Sequence, residues 1–161
     1  MNHQDEAVSL SNPRIIAAVY FGVLSVMFTL AFDAILYAFG INQFLPLYQA
    51  TILADIIAVS FGALFAEKIV HSQGAYLKKS FFWAVLMTIT AIPIYDVGLF
   101  CLLALNNPGA LINIGFKGFL GFYLAILAYS FILCGWWLAL VAGFAAMYLR
   151  GCIIYYILRS F

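Results

Sequence analysis

The chain has 161 residues, 67% of them hydrophobic and only 8% charged, with a mean hydropathy of +1.11, a composition that no soluble surface accommodates. A formal net charge of +1 excludes a polybasic nucleic-acid surface. With about 20 apolar residues needed per crossing of a ~30 Å hydrocarbon core, the length holds four membrane helices and no soluble domain, and because the apolar runs are continuous, not alternating, a closed β-barrel is excluded as well.

In chain order, Met1 to Pro13 reads as a short polar tail without the basic segment that opens a signal peptide. Pro13 suits a helix start, and the first apolar run predicts helix 1 over about 15–39, ended by Gly40, Asn42, Gln43 and Pro46. Helix 2 is expected over about 47–66. The stretch holding Glu67, Lys68, His71, Gly74, Lys78 and Lys79 reads as an aqueous connection. Helix 3 is expected over about 81–105, closed by Asn106, Asn107, Pro108 and Gly109. The last run predicts one long helix over about 115–149. A hairpin at Cys134 and Gly135 would make five helices, but four helices put Arg14, Lys68, Lys78, Lys79, Arg150 and Arg159, six of the seven basic residues, on one side. The positive-inside rule then favours an all-α, four-helix bundle in one transmembrane domain, with both termini cytoplasmic.

Three aspartates interrupt these runs: Asp33, Asp55 and Asp96. An aspartate at the centre of a membrane helix costs roughly 2.5–3.5 kcal/mol on the insertion scale, so each needs a compensating role. Counted from the helix ends, Asp33 lies about 9 Å deep, Asp55 about 12 Å, Asp96 about 13 Å and Lys117 about 9 Å, which predicts one charged layer in the outer half of the membrane. Ser25, Thr29, Asp33 and Tyr37 recur every four residues along helix 1, as Tyr48, Thr51 and Asp55 do at three- and four-residue steps on helix 2. Pro93 removes a backbone donor one turn before Asp96, beside Tyr95, and transporter sites are often built around such interruptions. Gly115, Gly118 and Gly121 suggest close helix approach at the start of helix 4.

Enzyme chemistry finds no foothold: H-E-x-x-H, G-x-S-x-G, P-loop and C-x-x-C motifs are all missing, and Cys101, Cys134 and Cys152 read as small core residues. The expectation is a non-enzymatic protein with no cofactor and no metal. What the residues offer is a compact acidic site for a cation, a proton or an ammonium group.

The order of features resembles the bacterial L-alanine exporter family, small four-helix inner-membrane proteins with cytoplasmic termini. The resemblance is carried by the acid, glycine and polar turn from Asp33 to Gln43, by Tyr48 opening helix 2, by Pro93 to Tyr95, and by the glycine-rich end of helix 4 from Gly143 to Arg150. It implies a bacterial inner-membrane exporter of a neutral amino acid, L-alanine above all, coupled to proton entry. The expected solute- and proton-binding residues are then Asp33, Asp96, Asp55, Lys117, Thr29, Tyr37, Pro93 and Tyr95, with an aspartate meeting the ammonium of a zwitterion and Lys117 its carboxylate. Besides the lipid bilayer and this solute, the expected partners are further copies of the chain in a homo-oligomer. The competing expectation is a scaffold or accessory subunit of a larger membrane complex, its acids serving as interhelix hydrogen-bond acceptors.

Overall fold

A computed structural model of the chain describes residues 12–40, 46–71, 76–106 and 116–154. Within them the fold is an all-α bundle of four helices, each long and apolar enough to cross a membrane. Helix α1 is Pro13–Ala38, α2 is Leu47–Val70 and α3 is Tyr76–Asn106. Helix α4 runs unbroken through an α-helical segment Phe116–Ser130, a π-helical turn Phe131–Gly135, a second α-helical segment Trp136–Tyr148 and a second π-turn Leu149–Ile153. The hairpin considered at Cys134 and Gly135 is therefore a π-turn inside one helix. The turns expected around Asn42 and Asn107, and Gly115 and Arg159, lie outside the described residues.

Three boundaries differ from expectation, one being that α4 continues past Leu149 to Ile153. Helix α2 continues past Ala66 to Val70, and α3 begins at Tyr76, so Glu67, Lys68, Lys78 and Lys79 are helical. All four are exposed, where a charged side chain costs a helix nothing. The end of α2 is tied to the start of α3 by the buried Ser80, whose hydroxyl donates to the Ile69 carbonyl in the last turn of α2 at 2.7 Å.

Helix α1 packs antiparallel along α2, α2 along α3 and α3 along α4. Close approach depends on glycine at particular points. An added Cβ at Gly62 would stand 3.0 Å from the Ala17 carbonyl oxygen, one at Gly22 3.0 Å from Asp55 Oδ1, and one at Gly143 2.5 Å from the Phe81 ring. The expected glycines of early α4 do not act this way: Gly118 is exposed and a Cβ at Gly121 would meet nothing.

The buried core, with Ala17, Phe21, Ala66, Ile69, Val70, Ala84, Met87, Ala146 and Leu149, lies at one end of the bundle. That end also gathers the charges. Arg14 pairs with Glu67 at 2.9 Å, Lys68 lies 4.2 Å over the Trp83 ring and the buried Arg150 lies 5.3 Å over Tyr76. The first residues of α1 and the last of α4 thus share one end. Here Tyr20 of α1 reaches α4, its hydroxyl donating to the Ala145 carbonyl at 3.1 Å. Interhelix hydrogen bonds of this kind contribute about 0.6 kcal/mol in membranes, so Tyr20→Phe is expected to lower thermal stability in detergent only slightly, as followed by circular dichroism.

Candidate functional site

Beyond the Tyr20 contact a cleft of about 530 Å³ opens between the helices, within the range of small-molecule sites. Helix α1 lines it with Phe21, Ser25, Phe28 and Thr29, and α2 with Ala54, Ala58 and Phe61. From α3 come Thr88, Ile92, Tyr95 and Asp96, spaced so that Thr88, Ile92 and Asp96 fall on one helical face. Helix α4 adds Tyr129, Ser130, Cys134 and Gly135. Most of this wall is carbon, and Asp96 is the one ionisable carboxylate among the described residues that form it.

Asp96 is fully buried, and its Oδ1 accepts a hydrogen bond from the Ser130 hydroxyl at 2.9 Å. Its Oδ2 has no hydrogen-bond partner among the described residues. An unmatched carboxylate oxygen in a buried position is costly. Ser130 stands directly before the π-turn of α4, and π-turns of this kind are frequent at functional sites. The turn shifts the helical register between Ser130 and Gly135, and both residues still face the cleft. Gly135 is buried where a Cβ would lie 3.1 Å from Ile92 Cδ1, so α4 is pressed against α3 beside the acid.

Of the residues expected from sequence, Thr29, Tyr95 and Asp96 come together on the cleft wall. Thr29 donates its proton to the Ser25 carbonyl at 2.8 Å. Pro93 lies inside the continuous α3, and its carbonyl accepts from the Tyr123 hydroxyl of α4 at 3.2 Å. The remaining residues lie elsewhere. Asp55 is level with Asp96, because Gly98 of α3 packs on Leu53, but its carboxylate turns to Gly22 at the interface of α1 and α2. Asp33 is eight residues, or about 12 Å, along α1 from Ser25, and the pairings Arg14–Glu67 and Gly22–Asp55 set it near the start of α2. Tyr37 is 85% exposed. A four-residue stripe drifts about 40° per step, which carries Tyr37 about 120° around α1 from Ser25 and away from the cleft. Lys117 is exposed, thirteen residues or about 20 Å along α4 from Ser130. The four charges expected in one layer do not meet.

Ser130 escaped the sequence reading. A hydroxyl in the middle of a long apolar run, one helical turn before Cys134, is the signal that could have marked it. Comparison of the chain with protein-family models, with curated proteins and with solved structures gives no match.

Proposed function

We propose that the chain is a small membrane carrier in which Asp96 receives, in turn, the ammonium group of a solute and a proton. The observation that carries this reading is the buried Asp96 carboxylate on the wall of the cleft, one oxygen held by Ser130 and the other without a partner among the described residues. Acids at such positions mark ion and proton pathways in membrane proteins. The core closes one end of the cleft, between Tyr20 and Ala145, so a solute reaching Asp96 enters from elsewhere along the cleft, and a rearrangement at the closed end would release it there. L-alanine, the substrate implied by the resemblance to alanine exporters, carries the required ammonium. Its carboxylate would find no cation beside Asp96, since Lys117 stands at the far end of α4.

The carrier is placed in a bacterial inner membrane with both ends cytoplasmic, the orientation that the positive-inside rule gives to Arg14, Lys68, Lys78, Lys79 and Arg150. Cysteine labelling in intact cells is expected to leave Lys78→Cys protected from an impermeant maleimide; free reaction from outside would invert the orientation. Since α1 and α4 do not seal the cleft, a homo-oligomer supplies the missing wall. The same open, apolar cleft also suits a helix of another protein, which is the accessory-subunit reading.

Flux separates these two. Purified protein in liposomes, under an imposed pH gradient, is expected to move labelled amines or neutral amino acids above the protein-free rate. No flux with any of them, together with a stoichiometric membrane partner on native purification, would support the accessory subunit. Because their carboxylates lie off the cleft, Asp33→Asn and Asp55→Asn are expected to keep flux near the wild-type rate; loss in either, at matched protein levels, would restore that acid to the pathway.

A further inference from the structure

We infer that the cleft selects a monovalent organic amine with an apolar body and rejects the zwitterion that carries the same body. The inference rests on the carrier reading and names its substrate class. The argument comes from the charge of the wall and from the acceptors gathered at Asp96. Thr29 donates its only hydroxyl proton to the Ser25 carbonyl, Thr88 donates to the Ala84 carbonyl at 3.0 Å and Ser130 donates to Asp96. A hydroxyl whose proton is engaged offers only lone pairs to a ligand. These oxygens and the buried Oδ2 of Asp96, which has no partner among the described residues, supply acceptors around one carboxylate, while the neutral donors of the wall are the hydroxyls of Ser25, Tyr95 and Tyr129 and the Cys134 thiol.

An ammonium group, which has three donors and no acceptor, matches those acceptors. A carboxylate would stand against the Asp96 charge with only neutral hydroxyl donors to meet it, because among the described residues lining the cleft there is no lysine, arginine or histidine to offset it. The remainder of the wall, with Phe28 and Phe61 among its aromatic rings, suits an apolar body. The volume of about 530 Å³ accommodates a ring-bearing amine. One charge of one sign therefore defines the ligand, and the apolar portion contributes contact area with little demand on shape.

The test uses ligands that differ by one group. Labelled phenethylamine is bound to the purified full-length protein in lipid nanodiscs and competed with unlabelled phenethylamine, phenylalanine, L-alanine and 2-phenylethanol; Asp96→Asn is measured in parallel. Phenethylamine should bind saturably and lose binding in Asp96→Asn. Phenylalanine should compete roughly a hundredfold more weakly, as expected for a carboxylate left unpaired at membrane depth, and 2-phenylethanol, without charge, should also compete poorly. If phenylalanine or L-alanine competes as well as the amine while Asp96→Asn abolishes binding, the amine selectivity is overturned and the carrier reading survives. Saturable binding of none of them, or binding unchanged in Asp96→Asn, overturns both. Should Asp96→Asn fail to fold, the order of competitors on the wild-type protein still decides, and equal competition by 2-phenylethanol would overturn the inference.

Discussion

Asp96→Asn is expected to abolish solute flux while leaving a folded protein. The amide keeps an oxygen that can accept the Ser130 hydrogen bond seen at 2.9 Å, and interhelix bonds of this type are worth only about 0.6 kcal/mol in membranes, so the bundle should hold. What the amide loses is the charge. Removing one partner of a desolvated charge pair costs about 2–5 kcal/mol, a loss of thirtyfold or more in affinity for an ammonium ligand. An amide also cannot exchange protons near neutrality, so coupling to a pH gradient disappears with binding. Flux in liposomes, normalised to folded protein by size-exclusion chromatography, checks both parts. Wild-type flux in Asp96→Asn would remove Asp96 from the mechanism. Collapse of the protein would instead assign the residue to helix packing.

The largest structural effect is expected at Gly62. Its missing Cβ would stand 3.0 Å from the Ala17 carbonyl oxygen and 3.3 Å from Phe21 Cβ, both parts of α1 that cannot rotate aside. Gly62→Leu must push α1 off α2, and overpacking of this sort costs about 1–3 kcal/mol even where side chains can adjust. Loss of the Tyr20–Ala145 contact should follow, because it depends on where α1 lies. Gly143→Leu offers the contrast. The atoms it would meet belong to the Phe81 ring, which can swing away. Thermal unfolding in detergent is expected to rank Gly62→Leu well below Gly143→Leu, and equal stabilities would contradict the close approach of α1 and α2.

How much of this could be read from the residues differs between fold and site. The four helices follow from the continuous apolar runs and their polar ends, because a membrane admits few alternatives to a helix. Their extension past Glu67 and Lys78 does not follow, since polar residues at a membrane surface remain helical as readily as they leave the helix. Asp96 was legible for its cost at membrane depth. The supposed layer of Asp33, Asp55, Asp96 and Lys117 fails because depth counted from helix ends assumes that the ends are level and is silent about rotation around each axis. The register of α1 on α2 is set by contacts such as Gly62 on Ala17, which no single helix reveals. Rotation turns Asp55 towards Gly22 and Tyr37 away from the cleft. Ser130 and its π-turn depend on how α4 meets α3, a tertiary property with only a lone hydroxyl to announce it.

The central claim, that Asp96 exchanges a solute's ammonium for a proton, is tested most directly by recording both movements at once. Liposomes holding the wild-type protein and an internal pH indicator are given an outward gradient of labelled phenethylamine. The carrier should move protons inward as the solute leaves, in proportion to solute flux, and Asp96→Asn should show neither movement beyond that of protein-free liposomes. Solute flux through the wild-type protein with no accompanying proton movement, or equal proton movement in Asp96→Asn, would contradict it.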